Sequence, residues 1–217
     1  MQKHIILDII SILKRRFYLY WNKIYLNLIG VRYGKNLKMY NKVYVHGEGE
    51  LIIGNDFLFI SGNGINPIAR NIEGEIFVKR GGMIEIGDRV GISSSTIWAE
   101  KRITIGNDVN VGADCIIIDT DAHPHNYLQR RKDYRKKVGN EEYEKLIPSA
   151  AITICDDVWL GARCQVLKGV TIGARSIIAA GSIVTKDIPA DVIAGGNPCK
   201  VIKRLNNYED NRSNSNI

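Results

Sequence analysis

The chain has 217 residues, 45% of them hydrophobic and 24% charged, which suits one sizeable folded domain and excludes wholesale disorder. A formal net charge of +7 favours an anionic ligand or partner without choosing among a phosphate, a membrane surface and a nucleic acid. The cysteines Cys115, Cys155, Cys164 and Cys199 show no CxxC spacing, which reads as reduced core thiols in a cytoplasmic protein.

Residues 1–30 form the first segment. Ile6, Ile9, Ile10 and Leu13 recur at helical spacing. Asp8 and then Lys14-Arg15-Arg16 interrupt the apolar run, so no uncharged stretch approaches the roughly 20 residues needed to span a bilayer. The expectation is a helix packed on the rest of the fold. A sharper alternative is peripheral contact of its aromatic and basic residues with a membrane surface.

From residue 31 to 197 the chain keeps a six-residue beat. Ile154, Leu160, Val166, Ile172, Ile178 and Val184 are all aliphatic. Three residues after each stands a turn-prone or polar residue, Asp157, Arg163, Gly169, Arg175, Gly181 and Asp187. Four residues after each comes a mostly small or β-branched one, from Val158 and Cys164 to Ile188. Upstream the beat returns as Ile86, Ile92, Trp98 and Ile105, Val111, Ile117, and more weakly as Tyr33, Met39, Val45 and Ile53, Phe59, Ile65. Neither a helix nor a strand repeats every six residues. A three-sided coil does, with one short strand and one corner per unit and about 18 residues per turn. The repeated aliphatic then points inward, and the coil's open ends need covers: the N-terminal helix and the tail, residues 198–217.

These repeats, with the stretch "ITICDDVWLGARCQVLKGVTIGARSIIAAGSIVTKDIPADVIAGGNPCKVIKRL", resemble the hexapeptide-repeat acyltransferases. The likeness is greatest to the branch of the maltose and galactoside acetyltransferases and the capsule and colanic-acid acetyltransferases. It implies a left-handed parallel β-helix, mainly all-β, with an N-terminal α-helix. It also implies a homotrimer with active sites at the subunit interfaces and acetyl-CoA as co-substrate.

The beat stops after Ile117 and resumes near Ile152, so residues 119–148 are expected to leave the coil as a loop. The loop carries a basic run, residues 130–137, readable as a solvated face or as a contact to an anionic ligand or a neighbouring subunit. Its root reads "DTDAHPHN", with two of the chain's four histidines. Acyl transfer to a hydroxyl needs a base, and an imidazole titrating near neutrality suits. The resemblance makes His123 that base. His125 and Asp121 are placed beside it as acceptor-binding candidates, and Asp119 or Asp121 could orient the imidazole.

The resemblance also implies the donor groove. The amide of Ala162, in "WLGA", would steady the oxyanion, and Trp159 would line the coenzyme channel. Ala180 would bond the pantetheine arm, Thr185 and Lys186 would lie near the far end of coenzyme A, and Lys200 and Lys203 would meet its nucleotide phosphate. One departure stands out. Where relatives acting on galactosides or maltose place an Asn near the base, this chain has Ser93, which points to a different acceptor.

No metal is expected, because zinc of the gamma carbonic anhydrase kind needs three histidines and His46 is distant from the His123-x-His125 pair. The reading is an O-acetyltransferase acting on a sugar hydroxyl of a capsule, O-antigen or exopolysaccharide precursor. An antibiotic or amino-sugar acceptor and a non-catalytic scaffold are the rivals. No nucleic-acid module is recognisable.

Overall fold

Three parallel sheets run side by side along the molecule in a computed structural model that describes residues 2–62, 66–69, 72–131 and 141–205, with side chains from residue 9 onward. Ile65, residues 132–137 of the basic run and residues 206–217 of the tail lie outside the described residues. The first sheet stacks Arg32–Tyr33, Glu50–Ile53, Met83–Ile86, Arg102–Ile105, Ile152–Ile154 and Thr171–Ile172. The second stacks Lys38–Tyr40, Leu58–Ile60, Gly91–Ser93, Asn110–Val111, Trp159–Leu160 and Ile177–Ile178, then Val192–Gly195 and Lys200–Arg204. The third stacks Val43–Gly47, Gly74–Val78, Thr96–Ala99, Ile116–Ile118, Gln165–Leu167 and Ile183–Val184. The chain visits the sheets in turn, so it winds as a coil with three corners.

The register stacks like on like. Ile86, Ile105, Ile154 and Ile172 form one inward column, and Ile97, Ile117, Val166 and Val184 another. Burying each such side chain contributes about 1.5–3 kcal/mol, and every coil shares its column with the next. The corner residues explain the rest of the beat. Asp157, Arg163, Gly169, Arg175 and Gly181 all have positive φ, between 59 and 79°, which turns the chain sharply. The following residues, Val158, Cys164, Val170, Ser176 and Ser182, point inward and are buried. Cys115 and Cys164 are core thiols of this kind and Cys199 is buried too, but Cys155, one residue past the inward Ile154, is only half-buried; none of the four cysteines is in a disulfide.

One inward assignment is overturned. Trp98 does not follow Ile92 into the core: Ile97 is fully buried there, and Trp98 faces outward against Ile118. The corner formed by Ser93, Ser94 and Ser95 is one residue shorter than its neighbour, so the alternation of the next strand is shifted by one.

Helix α1, Gln2–Leu28, covers the first coil's open edge. Leu26 is fully buried against it, Asn22 Nδ2 donates to the carbonyls of Met39 (3.0 Å) and Asn41 (2.8 Å), and the Tyr25 hydroxyl donates to the Val45 carbonyl. These bonds satisfy edge acceptors that would otherwise lack partners. At the other end Lys200–Arg204 pairs antiparallel with Val192–Gly195, in a sheet otherwise parallel.

Candidate active site

The excursion from the coil is closed at its base by a two-residue latch. Thr120 and Ser149 form an isolated antiparallel bridge, flanked by Asp121 N–H to the Pro148 carbonyl (3.0 Å) and Ala150 N–H to the Asp119 carbonyl (2.9 Å). Ala122, at φ 59°, then turns the chain, with its N–H donating to Thr120 Oγ1. His123 follows and is exposed. Beyond it, Arg130 Nη1 donates to the carbonyls of Pro124 and His125, and Asn126 Oδ1 caps the short helix α2, Tyr127–Arg131, by accepting the Leu128 N–H. A second short helix, α3 (Glu141–Glu144), is tied to the coil through Lys79, which pairs with both Glu100 (2.6 Å) and Glu144 (3.3 Å).

The two acids at the root have separate tasks. Asp119 is fully buried, and its oxygens accept the N–H groups of Glu100, Lys101 and Arg102 at 2.7–2.8 Å. Burial pushes its carboxyl above the usual carboxylate range, against the opposing pull of those three amides. Its oxygens are committed to the corner below the latch, which argues against Asp119 as the imidazole's orienting group. Asp121 lies between Lys168 Nζ (2.8 Å) and His125 Nε2 (2.5 Å). Burial alone would raise the Asp121 carboxyl, yet the hydrogen bonds from Lys168 and His125 bring it below the usual range. Lys168 was not anticipated from the sequence, because its partner lies across the excursion.

Three of the donor-side residues sit at a different corner. Ala162 and Ala180 occupy the turn between the second and third sheets, one coil apart, and Trp159 stands just before it, 54% exposed. At the corner between the first and second sheets, side chains of successive coils cap the turn amides. The Lys35 N–H donates to Asn55 Oδ1, Asn55 to Asp88, Asp88 to Asn107 and Asn107 to Asp156, at 2.7–2.9 Å. At the alanine corner this ladder is missing: among the described residues, nothing accepts a hydrogen bond from the N–H of Ala162 or Ala180. The glycine before each alanine's neighbour keeps those amides clear. A Cβ at Gly112 would lie 2.6 Å from the Ala162 nitrogen, and one at Gly161 would lie 2.6 Å from the Ala180 nitrogen.

Ser93 ends its strand at the same second-to-third-sheet corner. Its Oγ accepts a hydrogen bond from Asn66 Nδ2 at 3.2 Å, so an asparagine amide stands beside the hydroxyl after all. Asn66 lies in an irregular segment with no repeat to flag it. Thr185 and Lys186 are exposed just past the last third-sheet strand. Lys203 and Lys200 lie opposite Ile193 and Gly195 in the second sheet, on the ladder that carries Trp159 and Ile177.

The proposed site residues thus form two groups. His123, Asp121 and His125 follow the third sheet, as do Thr185 and Lys186 of the donor set, while Ser93, Trp159, Ala162 and Ala180 precede it. Ala162 and Lys168, the partner of Asp121, are separated by a third-sheet strand, so at about 3.3 Å per residue the two groups are roughly 15–20 Å apart within one chain.

A family model described as Bacterial transferase hexapeptide (six repeats) matches residues 151–186. The polySia specific acetyltransferase NeuO, a solved structure, is 32% identical, with 83% of this chain and 78% of that one covered at a TM-score of 0.56. The chain belongs to the hexapeptide-repeat acyltransferases. Its three-sided coil is accordingly that family's left-handed parallel β-helix. The galactoside O-acetyltransferase of Escherichia coli (strain K12) is 35% identical over 139 residues, 64% of this chain. The chain spans 62% of that relative's length and 57% of each of the next two curated relatives. A mutant of AntD, an N-acyltransferase from Bacillus cereus solved with a nucleotide sugar and coenzyme A, shares the fold at a TM-score of 0.62 and 18% identity, with 85% and 89% covered.

Proposed function

We propose that this hexapeptide-repeat acyltransferase is an acetyl-CoA-dependent O-acetyltransferase that acts on a sugar hydroxyl. The observation carrying this reading is the change at the alanine corner. There the side-chain caps of the other ladder give way to the uncapped amides of Ala162 and Ala180, beside the exposed Trp159. Free N–H groups one coil apart suit a thioester carbonyl and an amide-bearing pantetheine arm.

The separation of the two groups supports a homotrimer in which one subunit supplies His123 and its neighbour supplies Ser93, Ala162 and Ala180. His123 takes the proton from the acceptor hydroxyl as its oxygen attacks the thioester carbonyl. The Ala162 amide holds the resulting oxyanion. The C–S bond then breaks, the imidazolium returns its proton to the departing sulfur, and coenzyme A leaves as the thiol, with no residue acylated. Trp159 covers the arm, Thr185 and Lys186 flank its course, and Lys200 and Lys203 meet the nucleotide phosphates. Asp121 and His125 contact the acceptor.

The sugar acceptor draws support from the relatives, one named for galactosides and one for polySia. The Ser93–Asn66 pair offers a hydroxyl and an amide where galactoside-type sites carry an Asn. The reading extends to a capsule, O-antigen or exopolysaccharide precursor as acceptor. Release of the coenzyme A thiol, followed with a panel of sugars and glycans, tests it. Acceptor-dependent release with an acetyl ester in the product is expected. Thiol release only with amine acceptors would instead indicate an N-acetyltransferase.

A further inference from the structure

Helix α1 uses one face to cover the coil and leaves the opposite face bare. The covering face is Ser11, Arg15, Tyr18, Asn22, Tyr25 and Leu26, spaced three and four apart and buried or half-buried. Centred about 140° around the helix from that face, at 100° per residue, lies a stripe of Ile10, Leu13, Phe17, Tyr20, Trp21 and Ile24. All six are exposed, from 46% at Trp21 to 72% at Tyr20, and Leu28 continues the stripe at 78%. Phe17 and Trp21 stack on each other with ring centroids 6.0 Å apart, so they form a continuous apolar ridge.

The charges bordering this ridge select its partner. Arg16 and Lys23 run along one side and Lys14 along the other, while residues 9–28 contain no Asp or Glu. A second copy of the helix laid on the ridge would bring like-charged rows together with no acid to answer them. An anionic lipid surface answers both features, since the apolar ridge enters the acyl boundary and the flanking cations meet headgroup phosphates. Trp, Tyr and Phe are the side chains suited to that boundary. Among the described residues no helix is long and apolar enough to cross a membrane. A helix lying in the plane of the surface fits this geometry.

We infer that the outer face of α1 docks the protein on an anionic membrane surface, with the coil held on the solvent side. This inference does not rest on the proposed activity, and its failure would leave the donor groove untouched.

The test is co-sedimentation of the full-length protein with vesicles of phosphatidylcholine alone and of phosphatidylcholine with about one third phosphatidylglycerol. Partition onto the anionic vesicles is expected, weakened by added salt. A Lys14→Gln, Arg16→Gln, Lys23→Gln variant should lose about tenfold or more of it. A Leu13→Ser, Phe17→Ser variant should lose it while its circular dichroism and coenzyme A affinity match the parent. No partition on either vesicle would overturn the inference. So would partition unaffected by both variants. A parent that stays in solution but falls to a smaller assembly in the Leu13→Ser, Phe17→Ser variant would assign the ridge to a second copy instead.

Discussion

Thr120 and Ser149, 29 residues apart in sequence, face each other at the neck of the excursion, with Ser149 Oγ donating to Thr120 Oγ1 at 2.9 Å. This contact turns a long insertion into a closed loop whose first exposed side chain after the turn is His123. Thr120 also accepts the Ala122 N–H, so it holds the residue that aims the histidine.

Cutting the latch should therefore loosen the histidine before it loosens the coil. Thr120→Val leaves the Ser149 hydroxyl and the Ala122 N–H without this acceptor, at a cost of about 1–3 kcal/mol in urea unfolding. Turnover should fall while coenzyme A affinity holds. Unchanged turnover in a measurably destabilised variant would show that the latch does not position the base.

Replacing the base itself separates binding from chemistry. His123→Ala should lower turnover by about 10²–10⁴ and leave coenzyme A affinity near that of the parent. The side chain is exposed, so stability should change little. Near-normal turnover in the variant would remove His123 from the mechanism.

The coil and its corners were legible in the sequence because each has a local physical cause. The inward aliphatics mark the strands, the polar or glycine residues, Asp187 excepted, mark positive φ, and small residues such as Ser176 and Ser182 fill the inside of the turns. The reversal of Trp98 was not legible. A corner one residue shorter, at Ser93 to Ser95, changes the face of the next strand without changing any residue type. Asn66 beside Ser93 and Lys168 beside Asp121 were missed for a different reason: both contacts are between segments, and no spacing within either segment records them. His123 and Ala162 were singled out through a resemblance. The bare amide at Ala162 adds a physical reason to the latter.

Acidity should act through Asp121. Its carboxyl is held below the usual range in the folded chain, so the stability it contributes is present above the unfolded carboxylate pKa of about 3.9 and is lost as pH falls through the lower folded value. Asp121→Asn should be less stable than the parent near neutrality and should lose less on acidification. Thermal melts across that acid range measure the difference, and parallel curves for the two proteins would contradict it.

The alanine corner can be blocked from the coil above it. Gly161→Ala places a Cβ 2.6 Å from the Ala180 nitrogen, so the backbone must shift. A stability loss of about 1–3 kcal/mol is expected, with coenzyme A affinity reduced as well. Gly81→Ala, at a corner where a Cβ meets nothing within 4 Å, should leave coenzyme A affinity unchanged despite its positive φ of 80°. Equal effects of the two substitutions on affinity would show that the alanine amides are not part of the groove.

The donor groove itself is tested most directly by calorimetric titration of the purified protein with coenzyme A, beside a Trp159→Ala variant. Binding near one site per chain is predicted, weakened about tenfold when the exposed indole is removed. No binding to the parent at millimolar coenzyme A would contradict the assignment of Ala162, Ala180 and Trp159 to the donor, and with it the proposed acetyl transfer.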